Sequence, residues 1–317
     1  MKRYIARRLV SLIPIMVLVS MFTFLGQQLV PGDPINTIIG TSEERQLDPQ
    51  IIQEIRREYG LDQPIPIQYV KSMWKVMHGD FGRSFQTKQP VTGEISARLP
   101  ITLTLGVTTL LLNTSIALVL GTLAGVHRGT IMDFLATSWA VLGAALPGFW
   151  VAIVLIIVFA ANLGWLPASG WVSPYQHPVA GIRHMLLPVI ALGLFGSAAI
   201  MRQTRSSLVE VLNQDYIRTA RAKGLKERTV VTRHALKNGL IPVVTVLGFS
   251  LAHVIGGSVL IERVFALPGV GRLALDATNN RDYPVVQAIV LMSAAAVVFA
   301  NLVSDVMYFY LDPRIRY

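Results

Sequence analysis

The sequence contains no cysteine, and only 15% of its 317 residues are charged. Without a thiol there is no disulfide framework, no thiolate nucleophile and no cysteine-ligated metal. H-E-x-x-H, G-x-S-x-G and G-x-x-x-x-G-K-[ST] are also missing, and with them the signatures of zinc proteases, serine hydrolases and phosphate-binding loops. Six histidines stand at 78, 127, 177, 184, 234 and 253, without metal-ligand spacing. No pair of carboxylates falls inside an apolar run, so the usual intramembrane proton relay is lacking. These absences weigh against a membrane-embedded enzyme. They also leave the chain without a motor of its own.

What the chain has instead is apolar length. At 52% hydrophobic and a mean hydropathy of +0.52, it reads as an integral membrane protein. Residues 9–30 carry no formal charge over 22 positions, about 33 Å of helix at roughly 1.5 Å per residue, enough to cross a bilayer core. The run is too long for a signal peptide and no small-x-small cleavage site follows it, so a retained span is expected. Further uncharged runs cover 99–126, 134–160, 184–201, 240–261 and 283–304, giving six expected spans. The fourth is the shortest and contains Pro188.

The net charge of +10 suggests nucleic acid at first sight, but no span-free domain carries it, and no nucleic-acid partner is expected. The charges alternate by loop. With the N-terminus inside, the inner segments hold sixteen Lys/Arg against five acids, with Asp305 at the end of the last span. The outer segments hold twelve of each. This bias predicts that both termini are cytoplasmic.

The most informative stretch is the basic island 202–239, with nine Lys/Arg against three acids over 38 residues. Orientation alone needs only a few charges near a span end. The island also has helix punctuation. Asp215 is expected to cap a short helix whose inner side is Tyr216, Ile217 and Ala220, and Gly224 stands where a left-handed residue would end it. Leu225, Thr229, Thr232 and Leu236 then suggest a second short helix, stopped at Asn238-Gly239. Two short helices meeting at a glycine on the water side make a knob that a soluble partner can grip.

The outer segment 31–98 is long for a loop and is expected to be structured. Asp48-Pro49 starts one helix, with Ile52, Ile55 and Tyr59 on one face and Gly60 at its end. Ile67, Val70, Trp74 and Met77 line a second helix that stops at Gly79. Either helix would suit the bilayer surface or a neighbouring subunit, and a neighbouring subunit is the expected partner. Trp165, Trp171 and Tyr175 in the 161–183 loop read as an aromatic belt. The ALPGVGRL stretch in 262–282 reads as turns. His253, beside Gly256-Gly257, reads as a polar contact between helices.

These residues resemble a known family, the permease subunits of ABC importers of the dipeptide, oligopeptide and nickel class. The matching motifs span nearly the whole chain in order: PGDP at 31–34, GLDQP at 60–64, GDFGRS at 79–84, QDYIRTARAKGL at 214–225, RHALKNGLIPV at 233–243, GGSVLIERVFALPGVGRL at 256–273, RDYPVVQA at 281–288 and the ending DPRIRY. The island corresponds to the family's EAA loop. Arg218-Thr219-Ala220 fills the Glu-Ala-Ala triplet, Gly224 is the glycine, and Leu236-Lys237 stands where Leu-Pro is general, a departure shared by peptide-type members.

The resemblance implies an all-α, polytopic bundle of six transmembrane helices. In that arrangement 1–30 is the N-terminus and first span, 31–98 an extracytoplasmic helical segment, 99–310 the permease core with its coupling loop at 202–239, and 311–317 a cytoplasmic tail. It implies a second, homologous permease, two cytoplasmic ATPase subunits, an extracytoplasmic solute-binding protein and the lipid bilayer as partners. This chain would bind no cofactor, with ATP and Mg on the ATPases. Asp215, Tyr216, Arg218, Thr219, Ala220, Arg221, Ala222, Lys223 and Gly224 would form the ATPase-coupling site. Arg218 and Arg221 would pair with acids, and Ala220 and Ala222 would allow close seating. The cargo implied is peptide, with glutathione and nickel chelates served by similar chains. A self-contained secondary carrier or channel is the competing class.

Overall fold

The computed structural model describes residues 2–29, 35, 49–58, 61–256 and 258–311. Among them the chain is almost wholly helical, and the sole strand-like feature is an isolated antiparallel bridge between Arg83 and Pro90. The helices are α1 (Lys2–Leu29), α2 (Pro49–Glu58), α3 (Ile65–Met77), α4 (Val91–Val126), α5 (Ile131–Ala145) and α6 (Gly148–Leu155), which widens into a π-helical turn over Ile156–Asn162. They continue as α7 (Pro178–Leu212), α8 (Asp215–Ala222) and α9 (Glu227–Gly239), itself π-helical over Val230–Ala235. The last four are α10 (Ile241–Gly256), α11 (Val259–Val264), α12 (Val270–Asn279) and α13 (Tyr283–Leu311).

Four of these are long and apolar enough to cross a membrane by themselves: α1 over Val10–Leu29, α4, α7, and α13 over Tyr283–Met307. Two bent pairs raise the number to six if each pair is one span. The expected third span, 134–160, is one of them. Its halves α5 and α6 diverge by 103° at Leu146-Pro147. Proline has no N–H to continue the ladder and its ring pushes the preceding residue out of the helical region, and Leu146 is extended (φ −92°, ψ 127°). The expected fifth span, 240–261, is likewise revised. α9 leads into α10 at 56°, α10 stops at Gly256, and Val259 onward starts a separate helix. The fourth is longer than 184–201: α7 carries Pro188 buried inside it and runs eleven residues past Met201 into the basic island. α4 likewise starts eight residues before 99, through Arg98.

α4 and α7 form the spine. A methyl group at Gly121 would lie 2.8 Å from the Met201 carbonyl oxygen and 2.7 Å from Thr204 Cβ, so only glycine lets the two backbones meet there. Around this contact, Ala117, Ala124, Ala136, Ala140 and Ala198 make a core of small side chains with Ile200, Met201 and Val243. α1 stays apart, packing on α13 and leaving Val10, Ile13, Phe22 and Leu29 more than 60% exposed.

Two buried carboxyl groups organise the end of the bundle that carries α11 and α12. Glu262, fully buried, accepts hydrogen bonds from Thr102 Oγ1 (2.8 Å), Ser258 Oγ (2.7 Å) and the Arg272 N–H (2.9 Å). Thr102 in turn accepts the Val270 N–H at 2.8 Å. Gly269 packs so closely that a Cβ there would be 2.4 Å from the Glu262 carboxyl carbon. The ALPGVGRL stretch is therefore more than turns: its backbone wraps a carboxyl group that ties α4 to α11 and α12. Asp282 does similar work, accepting the Ser84 hydroxyl and the N–H groups of Phe85 (3.0 Å) and Gln86 (3.3 Å), so GDFGRS is fastened to the start of α13.

The two helices expected in 31–98 are present as α2 and α3. Asp48, Tyr59 and Gly60 lie outside the described residues, as do the side chains of Ile55 and His253. Trp165 and Tyr175 are exposed, whereas Trp171 packs partly buried against the core around Phe265.

Replacing Glu262 by Leu leaves the two hydroxyls and the Arg272 N–H without their acceptor, at about 1–3 kcal/mol for each orphaned buried donor. A lowered thermal-unfolding midpoint of the purified assembly is expected, with a smaller loss for Glu262→Gln.

Candidate coupling site

The knob forms because two short helices bury small apolar faces against the extended end of α7. Ile217 is fully buried and Ala220 is 6% exposed, packed with Leu208 of α7 and with Val230 and Ala235 of α9. α8 ends at a glycine in the left-handed region, Gly224 with φ +76°. Its N–H donates to the Arg221 carbonyl (2.9 Å) and the Leu225 N–H reaches the Ala220 carbonyl (3.4 Å), a Schellman closure.

Three details differ from the sequence reading. Asp215 is the first helical residue rather than the cap: Gln214 precedes the helix in extended backbone, and the Asp215 carboxylate turns to Arg218 at 3.4 Å. Tyr216 faces outward, 41% exposed. Its hydroxyl accepts from Asn238 Nδ2 at 2.9 Å, which ties α8 to the end of α9. On α9 the buried residues are Val230, Val231, Ala235 and Gly239, not the 225/229/232/236 series. The π-helical turn adds about one residue per turn, so positions five apart align.

The knob's outer surface is basic. Arg218, Thr219, Arg221, Ala222 and Lys223 are all exposed, while Ala220 is spent inward and offers no contact to a partner. Arg221 already has an acid within the chain: it clasps Glu227 with bonds of 3.1 Å and 2.7 Å, closing the turn around Gly224. That bond raises the Arg221 guanidinium above its ordinary value. Arg218 is held more loosely, in a 3.4 Å pair that is largely exposed on both sides.

A third ion pair was not legible. Asp133, in the first turn of α5, receives Arg205 of α7 in a two-pronged bond of 2.5 Å and 2.8 Å. The same carboxylate accepts the Gly129 N–H (3.0 Å) and the Thr137 hydroxyl (3.3 Å). Asp133 is 7% exposed. One carboxylate thus holds the α4–α5 turn, the start of α5 and the knob-bearing end of α7 together. The partners are 72 residues apart, and the sole sequence signal is an acid at the edge of an apolar run facing a basic island. Among the described residues no group of His, Asp or Glu is arranged to hold a metal.

Residues 117–317 match the family described as binding-protein-dependent transport system inner membrane component, and residues 1–106 match its N-terminal companion. The chain belongs to that family. It is 41% identical over 317 residues to a Brucella abortus (strain 2308) protein named as a peptide transport system permease, with all of both chains covered. It is 40% identical to the glutathione transport system permease protein GsiC of Salmonella paratyphi A, again over both full chains. To the dipeptide transport system permease protein DppB of Escherichia coli (strain K12) it is 39% identical, covering 100% of this chain and 99% of that one. Among solved structures, the inward-facing MetNI methionine ABC transporter aligns with a TM-score of 0.58 at 16% identity, over 70% of this chain and 97% of that chain. An amino acid ABC transporter with histidines aligns at 0.51 and 14% identity. These two structures support the fold alone. As a permease of this family, the chain is a multi-pass inner-membrane component of a transport system that works with a separate binding protein.

If the Asp133 carboxylate joins α5 to the knob, Asp133→Ala should loosen both. Hydrogen–deuterium exchange over 127–133 and 202–212 is expected to quicken while that of the 102–110 stretch of α4 stays unchanged. The exchange Asp133→Arg with Arg205→Asp should restore much of the protection.

Proposed function

We propose that this chain forms half of the translocation path of an ATP-driven importer of di- and oligopeptides, and that the α8 knob couples it to the motor. The observation that carries the reading is the knob itself: a preformed, basic, exposed helix seated on the end of a spanning helix, in a chain of a binding-protein-dependent family. Relatives at 39–41% identity over the full length are named for peptide, dipeptide and glutathione transport. Glutathione is itself a short peptide, so these names agree on one chemical class. Nickel chelates have no such support among them.

In this reading a second, homologous permease completes the path, and an extracytoplasmic binding protein delivers the cargo. Two cytoplasmic ATPase subunits hold ATP and Mg, and this chain binds neither. Both termini and the 202–239 stretch face the cytoplasm. ATP-driven closure of the ATPase pair displaces α8. Because Ile217 and Ala220 are locked onto α7, and Arg205 locks α7 to α5, the displacement passes to two spans as one rigid movement. The bundle then repacks to open on the other side. Asp215, Tyr216, Arg218, Thr219, Ala222 and Lys223 present the contact surface. Ala220 seats it from within, and Arg221 and Gly224 set its turn.

Reversing Arg218 and Arg221 together to Glu should abolish peptide uptake in proteoliposomes of the assembly while the subunits still co-purify. Arg221→Glu also breaks the clasp to Glu227, so Glu227→Gln serves as the control for that loss and is expected to retain most uptake. Full uptake by the double reversal would remove both arginines from the joint.

A further inference from the structure

The strongest unexplained surface is the outer side of α3. Ile67, Val70, Trp74 and Met77, at helical spacings of three, four and three, are 46%, 64%, 63% and 72% exposed. No residue of this helix is fully buried. Beside the stripe, one turn apart, stand Lys71 and Lys75, both exposed, and α3 contains no acid. Charge balance, which would favour a protein partner, holds for α2 with two Glu and two Arg but not for α3.

The level at which α3 is attached decides what covers it. Its inner face is fastened to α1 by Tyr69. The Tyr69 hydroxyl shares a 2.7 Å hydrogen bond with Ser20 Oγ and donates to the Val17 carbonyl at 3.3 Å. The ring also meets Phe24 edge-on with centroids 5.5 Å apart. Ser20 lies near the middle of the Val10–Leu29 span, nine residues before its end, which is about 14 Å in at roughly 1.5 Å per residue. The exposed residues of α1 at this level, Val17, Leu18, Phe22 and Leu25, are all apolar. A helix held at that depth beside an uncovered span stands in hydrocarbon, not in water.

We infer that α3 is a lipid-embedded helix. Its Ile67/Val70/Trp74/Met77 stripe is buried among the acyl chains of the leaflet on that side, and Lys71 and Lys75 extend to lipid phosphates. The chemistry suits that place: an apolar face for the acyl chains and flanking lysines whose long stems can carry the charge toward the polar layer. A protein covering the same face would have to supply acids for both lysines, and interface centres are depleted in lysine. Anchoring of this kind fixes α1 and the 61–90 region against the bilayer while the rest of the bundle moves. The inference rests on the membrane location of the family and not on the coupling role of α8, so each can fail alone.

The chain has no cysteine of its own, which makes site-directed spin labelling direct. Single variants Ile67→Cys, Val70→Cys, Trp74→Cys and Met77→Cys, labelled in the assembled transporter, are placed in phosphatidylethanolamine–phosphatidylglycerol vesicles. Asp62→Cys gives a water reference and the parent assembly gives the background. Collision with oxygen and with a water-soluble nickel chelate is then measured. The inference predicts high oxygen and low nickel accessibility at all four sites, with an oxygen-to-nickel ratio several-fold above that of Asp62→Cys. High nickel accessibility would place the stripe in water, and low values for both reagents would place it against protein; either result overturns the proposal. Four independent positions keep the test decisive if one variant fails to assemble.

Discussion

Hydrocarbon can neither donate nor accept a hydrogen bond, and this single constraint shapes most of the chain. It drives the backbone into helices, where every internal N–H and C=O finds a partner. It also makes the carboxyl groups buried in the bundle gather donors around them. Glu262 is surrounded by hydroxyl and amide donors, Asp282 by three donors from the 84–86 turn, and Asp133 by a guanidinium, an amide and a hydroxyl. These three carboxyl groups act as rivets between segments far apart in sequence. Small residues supply the remaining cohesion, since α4 and α7 meet where glycine and alanine let backbones approach.

The same constraint explains why the α8 knob lies where it does. A basic helix cannot enter the membrane, so the Arg/Lys-rich segment is extruded at one end of the bundle. It is kept rigid there by a small apolar seat and a left-handed glycine. The seat is on α7, the helix that packs along α4 and reaches α5 through Arg205. A push on α8 therefore meets a continuous chain of stiff contacts instead of a floppy loop.

Much of this could be read from residues alone, and the limits have physical causes. Uncharged length located α1, α4, α7 and α13, because burial in lipid requires it whatever the partners. Gly224 and the Ile217/Ala220 seat were legible, because capping and helical periodicity are local. The breaks were not: Pro147 is visible in the sequence, but a 103° turn depends on what the two halves pack against. The π-helical turn of α9 shifted its buried face, since an extra residue in one turn leaves the composition unchanged. Asp133 and Arg205, and Glu262 with Thr102, are joined across spans, so only the fold brings them together. Tyr216 was assigned the right helix and the wrong side.

The central claim is that this chain moves cargo only when worked from below by ATPase subunits. The most direct measurement is uptake of a labelled dipeptide into proteoliposomes, comparing the complete assembly with this permease pair stripped of its ATPases. The account predicts accumulation against a gradient by the complete assembly, strictly dependent on ATP, and none by the stripped pair. Accumulation by the permeases alone, with or without an ion gradient, would contradict it.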